Sequence, residues 1–146
     1  MQRAYDLAVA AGQVGEVPVG AVLLDPVSGE IVSEGANAPI ALCDPTAHAE
    51  IIALRAAARI RQNYRLPGLH LYVTLEPCAM CAGAISQARI SRLIFAAEDK
   101  KGGAVINGPR YFQQNTCHSA PDIQQDLNFA PKSAALLRAF FKSRRR

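Results

Sequence analysis

Leu69-His70-Leu71-Tyr72-Val73-Thr74-Leu75-Glu76-Pro77-Cys78-Ala79-Met80-Cys81 passes from a strand pattern to a helix pattern at the middle of the chain. Its first seven residues are mostly apolar or β-branched and follow a Pro67-Gly68 break, the pattern of a strand. Pro77 closes the strand, since proline has no N–H to give a ladder. Small residues from about Cys78 to Ala88 predict a helix, and Arg92 to Ala97 predicts the next strand. Upstream, Val17 to Leu24 and Ile31 to Ala36 read as a hairpin around Asp25-Pro26-Val27-Ser28-Gly29-Glu30, a turn by composition. A strand hairpin followed by alternating helix and strand argues for an α/β fold, layered around a mixed sheet.

The remaining elements fall around this core. Residues 2–11 predict a first helix ended by Gly12 and Gly15. Asp44 suits an N-cap and Pro45 the first helical position, so a helix is expected from there through the alanine-rich run to about Ile60. Glu98 to Asn115 is loop-like, with Gly102, Gly103, Gly108 and Pro109. A short strand is expected near Asp122-Ile123-Gln124, and a last helix from Ser133 to Lys142. No repeat, low-complexity run or linker divides residues 1–146, so a single domain is expected.

Half of the 146 residues are apolar and 19% are charged, a globular composition. No apolar run approaches the ~20 residues of a membrane span, and the N-terminus lacks a signal-peptide pattern, so a cytoplasmic location is expected. The net charge is +4, and the chain ends Lys142-Ser143-Arg144-Arg145-Arg146, which permits a phosphate-rich partner without requiring one. Four cysteines in such a chain do not call for disulfides.

Cys78-x-x-Cys81 places two sulfurs on one helical face, within reach of one ion. The start of a helix also favours thiolate over thiol. Taken alone the pair also fits redox chemistry or two buried small residues. His48 makes a third ligand, and three protein ligands describe a catalytic zinc centre that keeps its fourth place for water. Glu50 would supply the base and acid that hydrolytic deamination needs. Spacing alone does not bring Glu50 and His48 to one pocket, because positions i and i+2 diverge on a helix.

The pattern His48-x-Glu50 … Pro77-Cys78-x-x-Cys81 resembles the signature of the zinc-dependent nucleobase deaminases. Within that superfamily the chain resembles the bacterial tRNA-specific adenosine deaminases, through Glu16 to Val22, Asp44 to Ile51, Asn63 to Leu66, Leu71 to Cys81, Ala88-Arg89-Ile90 and Asp99-x-Lys101-x-Gly103-Ala104. The resemblance implies a three-layer α/β/α sandwich around a five-stranded mixed sheet and a Zn²⁺ cofactor. It also implies a homodimer, a tRNA anticodon stem-loop as substrate, and conversion of the wobble adenosine to inosine. It further implies base or RNA contacts for Asn37, Val17, Pro18, Asp99 and Lys101. Without the resemblance, Asn37 is a turn residue before Pro39, Val17 and Pro18 are strand core, and Asp99 is a loop acid. The long stretch Ile106 to Asp122 departs from many members of the family. Cys43, His70, Cys117 and His118 are read as non-catalytic, and Phe140 and Phe141 as packing residues.

Two other functions share part of this pattern. A deaminase of a free base or nucleotide (cytosine, deoxycytidylate or guanine) carries the same zinc signature. A non-catalytic zinc-stabilised binding module would need four protein ligands and no Glu50.

Overall fold

The computed structural model describes residues 1–145. Along the chain run α1 (Gln2–Gln13), β1 (Gly20–Leu24), β2 (Ile31–Ala36), α2 (Ala49–Arg61), β3 (His70–Leu75), α3 (Ala79–Gln87) and β4 (Arg92–Ala97). A single 3-10 turn (Tyr111–Gln113), β5 (Asp122–Gln125) and α4 (Ala130–Arg144) follow. The five strands form one sheet in the order β2-β1-β3-β4-β5. β1 runs antiparallel to β2 and β3, whereas β3, β4 and β5 are parallel. Central β3 pairs Val73 with Ala21 on one side and with Phe95 on the other. All three are buried there with Leu71 and Leu93, forming the middle of the core.

Two glycines let helices lie directly on this sheet. A Cβ on Gly20 would run into the Ala4 carbonyl and the Ala8 amide of α1, and one on Gly35 into the Ala49 carbonyl and Ala53 amide of α2. Gly35 pairs with Ala21, the neighbour of Gly20, and successive strand residues point to opposite faces. Hence α1 and α2 cover opposite faces. α4 packs beside α1 and α3 beside α2, which completes the α/β/α layering around a mixed sheet. On α1 the buried residues are Ala4, Ala8 and Ala11, one stripe at helical spacing.

Several boundaries differ from the sequence expectation, each for a local reason. The first strand begins at Gly20 instead of Val17: Pro18 cannot donate to a ladder, and the Val19 amide donates to the Val17 carbonyl in a tight turn. α1 continues through Gly12 and stops near Gly15, whose φ of 90° suits glycine. Asp44-Pro45 does not open α2. Asp44 Oδ1 instead accepts the Thr46 amide at 2.8 Å and the Thr46 hydroxyl at 2.7 Å, closing an Asx turn. The helix starts only at Ala49. At the other end, α4 begins at Ala130 with Pro131 in its first turn and carries Lys142 and Arg144 within the helix. Arg146 lies outside the described residues.

Candidate active site

The late start of α2 builds the site. His48 is its N-cap, with extended backbone (φ −73°, ψ 153°), and Glu50 sits in its first turn. Cys78 is the N-cap of α3, also extended (φ −73°, ψ 175°), and Cys81 follows in the first turn. Two helix N-termini therefore meet, and each offers one extended residue and one helical residue to the same point. Because His48 is not helical, the divergence of i and i+2 does not apply, and His48 and Glu50 line one cleft.

His48 Nδ1 lies 3.6 Å from Cys78 Sγ and 3.5 Å from Cys81 Sγ. Tetrahedral zinc, with Zn–S of about 2.3 Å and Zn–N of about 2.0–2.1 Å, sets its N and S ligands about 3.6 Å apart. The three donors are thus spaced as one zinc ion requires, and they form the His/Cys/Asp/Glu cluster with metal-binding spacing among the described residues. The electrostatics agree with an anion-binding, metal-ready end. The Cys78 thiol is lowered to about 5, chiefly by a hydrogen bond from Cys81, with help from amides of the helix start and from His48. Cys81 is pushed up by that same partner, then by burial and by Glu50, so without a metal one proton stays on the pair. Burial raises the Glu50 carboxyl to about 7, and Cys78 adds to the rise; its own backbone amide and His48 oppose it.

Cys81 is fully buried, whereas His48, Cys78 and Glu50 line a cleft of about 240 Å³ walled further by Val17, Val19, Asn37, Leu75, Glu76 and Asp99. That is smaller than a typical drug-sized pocket and suits a single flat base. Asn37 Oδ1 accepts the Ala49 amide at 2.8 Å, capping α2 from a distance and leaving the Nδ2 donors for the cleft. Val17 is half-buried on the wall. Pro18 is not on it: its ring is fully buried and packs toward Gly12. Asp99 borders the cleft and accepts the Lys101 and Gly102 amides at 3.1 and 2.9 Å. Lys101 points elsewhere, into a neighbouring groove along α4 with Leu137, Arg138 and Phe141. Cys117 and Ser86 contact each other at 3.5 Å, away from the cluster.

Two buried carboxylates carried no reading from the sequence. Glu76 lines the cleft and accepts five N–H donors. Glu16 accepts the Ala41 and Ile40 amides at 2.8 and 3.4 Å, holding the loop before Asp44. The available signal was an acid set among apolar residues, Leu75 and Pro77 in one case and Val17 in the other. Such an acid must find partners.

Residues 1–97 match the family model described as the cytidine and deoxycytidylate deaminase zinc-binding region. A tRNA-specific adenosine deaminase of Agrobacterium fabrum is 50% identical over 99% of this chain and 93% of its own length. A solved structure from a study of A-to-I editing by tRNA deaminases at the wobble position superposes with a TM-score of 0.90 at 50% identity, covering 94% of this chain and 97% of the other. A guanine deaminase from Bacillus subtilis matches at a TM-score of 0.63 and 42% identity, over 66% of this chain and 61% of that one. With two-thirds of the chain matched by the family model and nearly all of it by such relatives, the chain belongs to the zinc-binding cytidine and deoxycytidylate deaminase family and, within it, to the tRNA-specific adenosine deaminases.

Proposed function

We propose that this chain converts adenosine to inosine at the wobble position of a tRNA anticodon stem-loop, with Glu50 as the proton shuttle. The observation that carries the reading is a three-donor zinc site at the foot of a base-sized cleft, with a buried carboxyl beside it. Three protein donors leave a place for water, which distinguishes the site from a structural zinc of four ligands. Bound zinc supplies a Lewis acid that activates that water near neutral pH.

The chain's own residues do the rest. Glu50 takes a proton from the attacking water as it adds to C6 of the purine. It passes that proton to N1, and then carries the second proton to the departing amine. Adenosine and water become inosine and ammonia. A carboxyl whose pKa sits near 7 is suited to both halves of that cycle. Asn37 donates from Nδ2 to an acceptor on the base, Val17 packs on its face, and Asp99 meets the sugar or backbone at the rim. Lys101 and the cations of α4 meet phosphate along the adjoining groove.

A free-base deaminase is the second reading, favoured by the guanine deaminase likeness. The open flank of the cleft and the cationic groove of Lys101, Arg138, Lys142 and Arg144 favour a substrate extending beyond one base. Incubating zinc-loaded protein with a tRNA bearing wobble adenosine, and separately with guanine, decides between them by inosine or xanthine formed. The protein acts in the cytoplasm as a homodimer. On the α2–α3 side an apolar groove of Ile51, Leu54, Ala58, Tyr64 and Ala84 supports self-association, and a monomeric mass in sedimentation equilibrium would exclude it. No helix among the described residues is long and apolar enough to cross a membrane.

A further inference from the structure

Five N–H groups converge on the buried side chain of Glu76, two residues before the Cys78 ligand. Oε1 accepts the Asp99 amide at 3.1 Å and Asn107 Nδ2 at 2.8 Å. Oε2 accepts three consecutive backbone amides, Val105, Ile106 and Asn107, each at 3.1 Å. That run of amides forms a concave anion nest. The loop wraps the carboxylate so closely that a Cβ on Gly103 would strike Glu76 Oε2 and the Asp99 carbonyl. The loop is also tied to the zinc-ligand segment itself, since the Ala104 amide donates to the Pro77 carbonyl at 2.9 Å.

We infer that Glu76 is a positioning residue for substrate RNA: its carboxylate is the mould on which residues 99–107 fold, and it thereby sets Asp99 at the cleft rim and Lys101 over the groove. The inference rests on the RNA reading above. Glu76 does not serve as a second proton carrier, because both oxygens are already engaged by donors. Its distance from the loop in sequence makes it the link between Cys78, which fixes the reacting centre, and the rim that meets RNA. An amide cannot replace it. Whichever way Gln turned at this position, its NH₂ group would face at least two N–H donors. The rim would lose its place while His48, Cys78, Cys81 and Glu50, carried on other contacts, kept theirs.

The test is Glu76→Gln in the zinc-loaded full chain, measured by single-turnover deamination of an anticodon hairpin at varied enzyme concentration. The expected result is one zinc per chain, a half-saturating concentration raised at least tenfold, and a saturated rate reduced by less than about threefold. An unchanged half-saturation in folded, zinc-loaded protein overturns the inference, and so does a collapsed saturated rate with unchanged half-saturation. Asn107→Ala removes one Oε1 donor and leaves the carboxylate. It should raise half-saturation at least threefold with zinc intact, and it decides the matter if Glu76→Gln does not fold; no rise then counts against the inference. Wild-type protein that leaves the hairpin unconverted sinks the RNA reading and the inference together. Wild type that converts it, with both variants unchanged, sinks the inference alone.

Discussion

Substitution isolates the roles proposed for Glu50 and Asn37. Glu50→Gln keeps the shape of the side chain and leaves all three zinc donors in place. Zinc content and folding should therefore persist, while turnover falls by at least ~10²–10⁴, the range for loss of a positioned acid–base group. Near-normal rates with bound zinc would refute the shuttle. Asn37 caps α2 through Oδ1 and faces the cleft through Nδ2. Asn37→Asp keeps an acceptor for the Ala49 amide at a helix start that favours negative charge, so stability should hold. It removes the donor, so hairpin half-saturation should rise. Asn37→Ala loses both, and should add a stability cost of about 1 kcal/mol in denaturant unfolding. Equal half-saturation for Asn37→Asp and wild type would remove Asn37 from base recognition. At this scale the spacing of Cys78 and Cys81 was legible, because an N-cap side chain turns back toward the third residue of its helix. The meeting of His48 with Glu50 was not, since it depends on His48 being an extended N-cap. Glu76 was illegible for a different reason: its donors lie 23 to 31 residues downstream in a loop without periodicity.

At the scale of elements, the site is a junction of two helix N-termini. β2 and β4 were legible to the residue, because turn-forming or polar residues bound both segments. The start of α2 was not. Asp44-Pro45-Thr46 imitates an N-cap in composition, but the short Asp44 side chain closes on Thr46 instead, and the Thr46 donors hold its carboxyl below the usual range. The difference matters to the chemistry, since a helix starting at Pro45 would have turned His48 away from the sulfurs. The junction also predicts how metal and stability are linked. α2 and α3 touch, and zinc held by His48, Cys78 and Cys81 would tie the starts of the two helices together. Cys81→Ala should lose the metal and lower the thermal midpoint, because metal binding free energy is folding free energy. Full zinc occupancy in Cys81→Ala, measured by metal analysis, would contradict the ligand set.

Across the whole molecule, the cleft opens beside a groove where α4 brings cations alongside an apolar floor of Leu137 and Phe141. In sequence the basic chain end permits a phosphate-rich partner, and a solvated terminus is the alternative. In the fold, Lys142 and Arg144 belong to α4. The Arg144 guanidinium lies 3.7 Å over the Phe140 ring and donates to the Gly15 carbonyl at 3.3 Å. Arg144 is thus partly committed to holding α4 against the turn after α1, so not all of the terminal charges are free for phosphate. A chain cut after Phe141 should keep its fold and its saturated single-turnover rate. Its hairpin affinity should fall, and its salt slope should lessen by ~0.7 for each phosphate that the shortened chain no longer neutralises. An unchanged affinity and slope would make this end a solvated terminus.

Substrate extent separates a wobble-base editor from a free-base deaminase, because both share the zinc donors and Glu50. The decisive measurement is the catalytic efficiency of zinc-loaded protein on an anticodon hairpin with wobble adenosine against free adenosine, at fixed salt. Inosine at the wobble position is expected, with at least a thousandfold lower efficiency on the nucleoside, which cannot reach both the rim and the groove. Comparable efficiency on the two, or deamination of the nucleoside alone, would contradict the wobble-base reading.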